Sequence, residues 1–425
     1  MDKLNYPKKI KYTDLTIKPK KLATWLLWVV KVLQYILMGR RKLKITKIGM
    51  EGLNKAREPY LHLITHMQFL DFIVAKRATG PIKFGTIATI DGFDRMKDWL
   101  MRVGGVFPTR KFAGGANDVR RMLHVVKHHK VSLNVYPEAE YTPDGILSPI
   151  PGNMGKLAKM LKLPIVVLQT QGNYLIRPTW GDQKTIYEVP LHAVQKLILT
   201  KEEVETLPAE EIQKRIEQEM DYDEYRYWQN TGFKINYKNR AKGMHHFLYK
   251  CPACKVEFQM ASDAAEIWCK ACDVRHHLRN DGWLETVGQE KAYFAHVPDW
   301  VKWQREEVRK EIRAGTYYFK VKGPGKSLPD SRLGKKGVDI GEVELEHDMN
   351  GIRIRGHYNG QDFLIEKEAR ELYNVEVYVS LLLYKWPALV ALSTEEDTIY
   401  CFTPQNGTQA KIQYAVREMY KLATK

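Results

Sequence analysis

The sequence predicts an α/β domain, a sheet with flanking helices, followed by a small cysteine-bearing module and an antiparallel, barrel-like β domain capped by a helix. Three observations carry this. From about residue 44, short apolar β-rich runs alternate with helical ones, the pattern of a sheet with helices on its faces. Four of the five cysteines fall as two C-x-x-C pairs. Beyond residue 316 the hydrophobic period becomes two, as in strands with one face on a core.

Over 425 residues, 44% are hydrophobic and 28% charged, which excludes disordered, collagenous and disulfide-scaffold chains and suits about two or three domains. The net charge of +17 favours an anionic partner. Much of it is local, because residues 1–50 carry thirteen Lys and Arg against Asp2 and Asp14. Within that segment the apolar run 22–38 would span about 25 Å as a helix, short of the roughly 30 Å hydrocarbon core, with Lys31 near its centre. Residues 1–43 therefore read as a basic amphipathic membrane anchor that lies on the surface. Trp25, Trp28 and Tyr35 would sit at headgroup depth, and Lys18, Lys20, Lys21, Arg40, Arg41 and Lys42 would meet anionic lipids. The alternative is a buried core helix with basic flanks. A signal peptide is not expected, since the apolar run starts only at residue 22 and ends in basic residues. The expected location is the cytoplasmic face of a membrane, peripheral or monotopic.

The α/β pattern runs through strands at 61–65, 105–108, 131–136 and 164–169, with helices over 67–76, 118–129 and 155–161. Ligands of such sheets gather beyond the carboxyl ends of the strands. After the first strand, Thr65 and Gln68 fit a capping box that would place His66 in the first turn of a helix. A carboxylate five positions on, Asp71, can orient the imidazole as a general base. His276 with Asp281 and His357 with Asp362 share that spacing, so context must choose among the three.

The context at His66 is a set of ordered blocks: Gly105-Val106-Phe107-Pro108-Thr109-Arg110, Val135-Tyr136-Pro137-Glu138-Ala139-Glu140, and the apolar run from Leu163 to Leu168. With the lead-in from Lys47 to Leu53, their order and spacing resemble the glycerolipid acyltransferase family, known from 1-acyl-glycerol-3-phosphate acyltransferases, over about residues 20–200. The sequence departs from that pattern at Thr65 and Gln68, and at Ala139, Glu140 and Tyr141 where the family carries Gly-Thr-Arg.

The resemblance implies transfer of a fatty acyl group from a thioester donor, acyl-coenzyme A or acyl carrier protein, to the hydroxyl of a lyso-glycerolipid, with 1-acyl-glycerol-3-phosphate as the expected lyso-phospholipid acceptor. His66 would be the base and Asp71 its orienter. Arg110 matches the family's acceptor-phosphate arginine. Glu138 would hydrogen-bond the glycerol or orient Arg110. With Tyr141 in place of an arginine, Lys83 and Lys111 would supply replacement charge to the substrate, or the acceptor is a different lyso-lipid. No redox cofactor is expected.

Residues 201–222 read as acidic amphipathic helix near the end of an acyltransferase domain over 44–244. Next come Cys251 and Cys254, fourteen residues, then Cys269 and Cys272, the separation of a zinc ribbon over 245–285. Four thiolates complete tetrahedral zinc with no open position, so the metal is expected to be structural. His276 and His277 are expected to be exposed, and two disulfides are the competing reading. The ribbon lacks a dense basic stripe, so no nucleic acid is expected. A linker helix follows over 286–315, then seven strands and a closing helix over 316–425, which look like a pleckstrin-homology or GRAM-type module. Two other readings stand beside the enzyme: a catalytically inactive membrane adaptor, and a nucleic-acid-binding zinc protein using the basic amino-terminal segment.

Overall fold

The structure is a computed structural model that describes residues 4, 6, 14–38, 42–56, 58–80, 82–90, 98–182, 184–329, 337–378, 388–405 and 407–424. The chain forms two compact units, one of residues 14–177 and 186–233 and the other of 1–13, 178–185 and 234–425.

The first unit begins with helix α1 (Thr24–Met38) and carries a seven-stranded sheet in the order β1-β7-β6-β2-β5-β3-β4. The strands are β1 (Leu43–Ile48), β2 (Leu61–Ile64), β3 (Phe84–Thr89), β4 (Val106–Thr109), β5 (Ser132–Val135), β6 (Ile165–Gln171) and β7 (Leu191–Leu199). From β6 to β4 all neighbours are parallel, whereas β7 runs antiparallel to β6 and pairs in parallel with β1. Both faces of the central strands are covered, which is why β2 and β6 are read in the sequence as nearly continuous apolar runs. On one side Leu61, Leu63, Leu133 and Ile165 join Ile212 and Ile216 in the main core.

Helices α2 (Glu51–Ala56), α3 (Asp71–Thr79), α4 (Asp98–Val103), α5 (Ala116–His124), α6 (Met154–Leu161), α7 (Asn173–Ile176), α8 (Lys201–Thr206), α9 (Ala209–Met220) and α10 (Glu224–Thr231) complete the unit. α8 starts on a capping box in which Thr200 and Glu203 satisfy each other's backbone N–H groups. α5 continues into a π-helical turn, Val125–His129.

α1 exposes Trp25, Trp28, Val29, Val32 and Ile36, while Leu26 turns inward. No helix among the described residues is long and apolar enough to cross a membrane. Arg40 and Arg41, expected at the headgroups, lie outside the described residues, as does the side chain of Tyr35.

In the second unit, strands β8 (Met260–Asp263), β9 (Glu266–Cys269), β10 (Arg275–Leu278) and β11 (Leu284–Thr286) form an antiparallel sheet, followed by helix α11 (Val297–Arg313). A seven-stranded antiparallel sheet takes the order β15-β14-β13-β12-β18-β17-β16, and helix α12 (Thr408–Ala423) closes the chain. Its strands are β12 (Phe319–Ser327), β13 (Val338–Asp348), β14 (Gly351–Tyr358), β15 (Gln361–Glu368), β16 (Glu376–Tyr378), β17 (Leu389–Ser393) and β18 (Thr398–Phe402). The segments 245–285, 286–315 and 316–425 share this one compact unit. α11 packs against this unit through Trp300, Val301, Val308 and Ile312, which are buried, and the Trp300 indole N–H donates to the Lys250 carbonyl at 3.0 Å.

Candidate active site

His66 stands just past the carboxyl end of β2, and its main chain is held from both sides by the loop that follows β5. Its N–H donates to Glu138 Oε1 at 2.8 Å, and its carbonyl accepts from the Thr142 N–H at 3.1 Å. The ring lies between two phenols, with centroids 4.4 Å from Tyr136 and 4.3 Å from Tyr141, and the side chain keeps 20% exposure. Nδ1 faces Asp71 Oδ2 at 3.4 Å, an ion-pair distance slightly longer than a good hydrogen bond.

Asp71 is fully buried. Its Oδ2 accepts the Gln68 N–H at 2.8 Å, while Oδ1 accepts from the Thr170 hydroxyl at 2.9 Å and from the Asn173 amide. The Asn173 side-chain oxygen in turn accepts from Gln68 Nε2 at 2.8 Å. A carboxylate with this many donors is fixed in direction and leaves Oδ2 beside the imidazole.

These contacts correct the expected capping box. α3 begins at Asp71, not Met67, so His66 precedes the helix instead of sitting in its first turn. Thr65 turns its hydroxyl to Thr170, whose N–H it accepts at 3.0 Å, because a buried hydroxyl between two strands needs a partner there. Leu70 stands at the head of α3 without a side-chain cap, and Asp71, the first helical residue, instead reaches back to the Gln68 N–H while facing His66.

Glu138 is also placed differently from the expectation. It is fully buried, and its two oxygens accept the backbone N–H groups of His66 and of Ser148, the latter at 3.2 Å. Burial pushes its carboxyl up to about 8, against the lowering effect of those two donors. Glu138 is thus a strut between two loops rather than a group offered to substrate. Ala139 beside it adopts a left-handed backbone, φ 55°, which favours glycine.

Arg110 follows β4 and is buried. It shares the carboxyl edge with His66, three strands away in the order β2-β5-β3-β4, or about 14 Å at ~4.8 Å per strand. Lys111 follows it at the same edge. Arg121 braces this strand end, donating to the Pro108 carbonyl at 2.5 Å and pairing with Asp118, which also accepts from the Thr109 hydroxyl at 2.6 Å. Lys83 must be withdrawn from the site. It precedes β3, so in a parallel sheet it lies at the amino edge, opposite His66, where it donates to the Thr24 hydroxyl at 2.8 Å.

Of the two other H-x-x-x-x-D pairs, His276 is buried against Trp300 and held down to about 4 by burial, while Asp281 pairs with Lys234 and Arg279. The expectation that His276 is exposed is therefore wrong, since the ring belongs to the interior face of β10. His357 and Asp362 do meet, at 2.8 Å, but as an exposed cross-strand pair on a hairpin.

Sequence reasoning missed Thr170, Asn173 and Glu224. Thr170 and Asn173 stand at the carboxyl end of β6, where a polar Thr-Gln-Gly-Asn follows the apolar run, and that change of character was the available signal. Gly172 makes the turn possible with φ 83°, and a Cβ there would lie 2.1 Å from the Pro190 carbonyl. Glu224, fully buried, holds the same turn by accepting the N–H groups of Gly172 at 3.2 Å and Leu175 at 3.4 Å. Nothing in its own neighbourhood of sequence announces that role.

A second constellation lies in the other unit. The sulfurs of Cys251, Cys254, Cys269 and Cys272 all fall within 4.8 Å of one another, with Cys251 to Cys272 at 3.7 Å and Cys254 to Cys269 at 3.8 Å. Those separations are far beyond a disulfide bond of about 2.05 Å. They match the edge of a tetrahedron around a metal at ~2.3 Å from each sulfur, about 3.8 Å. The two C-x-x-C turns are built alike. Lys255 and Asp273 take left-handed backbones and return their N–H groups to the carbonyls of Cys251 and Cys269, at 3.1 and 2.9 Å. The four cysteines can therefore hold a metal such as zinc.

No family model and no curated protein matches the chain. Among solved structures it is similar to the 1-acyl-sn-glycerophosphate (LPA) acyltransferase PlsC from Thermotoga maritima, at 18% identity over 46% of this chain and 79% of that one, with a TM-score of 0.34. The functional conclusion rests on the geometry around His66.

Proposed function

We propose that the chain is a membrane-associated acyltransferase that moves a fatty acyl group from a thioester, acyl-coenzyme A or acyl carrier protein, to the hydroxyl of a lyso-glycerolipid, 1-acyl-glycerol-3-phosphate first among the acceptors to test. One observation carries it: a partly exposed imidazole at the carboxyl edge of a largely parallel sheet, backed by a buried, multiply hydrogen-bonded carboxylate at 3.4 Å. His66 Nε2 takes the acceptor hydroxyl proton as the oxygen bonds to the thioester carbonyl carbon. Asp71 faces Nδ1 and stabilises the imidazolium that forms. The C–S bond then breaks, and the departing thiolate takes the proton back from His66.

Arg110, with Lys111 beside it, would bind the acceptor phosphate through a planar fork of donors. The half-exposed rings of Phe69 and Phe72, at the start of α3, offer apolar surface to an acyl chain near the base. α1 would lie on an anionic bilayer with its apolar face inward. Cys251, Cys254, Cys269 and Cys272 would hold a structural zinc, which supplies folding energy to the second unit and takes no part in acyl transfer.

The test is an assay of purified protein with both thioester donors against a panel of lyso-phospholipids. Turnover is expected, falling by about a thousandfold or more in His66→Ala and in Asp71→Asn with the fold intact by circular dichroism. Wild-type protein that stays folded and transfers nothing, or unchanged turnover in His66→Ala, would leave the inactive adaptor as the better reading.

A further inference from the structure

The first unit carries a second cationic surface that acyl transfer does not use. Lys18, Lys20 and Lys21 are exposed in the lead-in to α1, and Lys127, His128 and Lys130 are exposed around the π-helical turn after α5. The ring of His124 lies 4.6 Å from that of His128 and 4.9 Å from that of His129. The two segments adjoin, because Lys18 acts electrostatically on His124 and Lys21 on His129.

No acidic residue occurs in 15–23 or in 119–134. The nearest acids on these elements are engaged elsewhere. Asp14 bonds Thr16 and faces Arg102 and Arg121, and Asp118 pairs with Arg121. Lys18, Lys20, Lys21, Lys127 and Lys130 thus lie exposed on these two segments, the second of which bears the three imidazoles. Burial first, then their mutual contact and the lysines, hold His124 and His129 below the ordinary value. The patch therefore disfavours their charged form in the free protein.

The patch sits at the root of α1, whose Trp25, Trp28, Val29, Val32 and Ile36 fall at helical spacing on one exposed face. We propose that this surface docks on an anionic phospholipid bilayer, the apolar face of α1 entering the interface while the lysine and histidine patch meets headgroup phosphates, and that protonation of His124 and His129 tightens the contact as pH falls. The proposal rests on the membrane part of the function proposed above and is independent of its acyl-transfer chemistry.

Charge complementarity selects this occupant. Crowded like charges repel one another in solution, and a negatively charged surface turns that cost into attraction. The sign of the pH effect follows from linkage. Headgroup phosphates stabilise imidazolium, so the bound protein carries more protons than the free one, and affinity rises as pH drops through the histidine range.

The experiment measures co-sedimentation of the full chain with vesicles of phosphatidylcholine alone and of phosphatidylcholine with one-third phosphatidylglycerol, a lipid whose single charge is constant over the range used. On the anionic vesicles, binding at about pH 5.5 is expected to exceed that at about pH 8 by roughly tenfold or more, and high salt to erase the difference. Replacing the three residues together, His124→Gln, His128→Gln and His129→Gln, should flatten the pH response, whereas Trp25→Ser with Trp28→Ser should weaken binding at both pH values. Equal binding to the two vesicle types, or an undiminished pH response in the triple variant, would overturn the proposal. Turnover on detergent-dispersed substrates, followed in parallel, separates the two readings: its absence with vesicle binding intact removes the enzyme, and its presence without vesicle binding removes the docking surface.

Discussion

Asp71 has two tasks that pull on different oxygens, and Asn173 keeps them apart. By donating with Thr170 to Oδ1, it leaves Oδ2 to Gln68 and to the His66 ring. Loss of that donor lets the carboxylate turn and strands a buried lone pair, at a cost of about 1–3 kcal/mol. Asn173→Ala is therefore expected to lower kcat by about 10- to 100-fold with little change in KM, since the acceptor is still bound but the base is misoriented. Asn173→Ser, which retains a short donor, should recover part of the loss. Equal effects on kcat and KM, or a shared fall in thermal stability that accounts for the activity, would assign Asn173 to packing alone. The pair His66 and Asp71 was legible because both lie within one short stretch after an apolar run. Thr170, Asn173 and Glu224 come from about a hundred or more residues further on and converge only when β6 pairs with β2. Lys83 failed for the converse reason: proximity to a strand in sequence does not say which edge of the sheet a residue occupies.

The strands that bear the site were readable because each is buried on both faces, so β2, β5 and β6 appear as compact apolar runs with a change of polarity at the carboxyl end. Helix beginnings were harder, since a cap is a contest among nearby side chains. Thr65 had a stronger partner across the sheet, and the helix started six residues later. Close approach of helices was legible only in part. Gly155 in α6 reads as a helix-start residue, but its role is to admit α9: a Cβ would lie 1.9 Å from the Ala209 carbonyl oxygen. Its N–H also donates to Gln213 Oε1 at 3.0 Å. Gly155→Ala must push α9 off the sheet and is expected to destabilise the first unit by about 1–3 kcal/mol. Urea unfolding followed by tryptophan fluorescence would measure it, and a change below about 0.5 kcal/mol would mean that α9 is free to shift.

At the scale of the whole chain, the cysteine cluster is built into far more than its own ribbon. Lys250, one residue before Cys251, reaches Glu257 at 3.5 Å and Glu307 of α11 at 3.2 Å. Lys411 of α12 joins Glu257 at 2.7 Å to Glu311 of α11 at 2.9 Å. Both lysines are almost wholly buried, so each depends on these carboxylates, and breaking such a set strands charge in the interior. The indole of Trp300 and the amide of Gln304, both on α11, also bond the Lys250 and Phe247 carbonyls beside the first C-x-x-C turn. The spacing of the cysteines announced the four-sulfur cluster, but ribbon, helix and β domain look like separate segments in sequence because the ties among them link residues 50 to 160 positions apart. Metal removal therefore should not melt the ribbon alone. Titrating zinc-loaded protein with a strong chelator is expected to expose amides across 245–313 and in α12 together in hydrogen exchange, because metal binding contributes on the order of 10 kcal/mol to folding and the buried lysines transmit its loss. Exchange confined to 250–275, with α11 and α12 still protected, would show that the carboxylates hold this unit together without the metal.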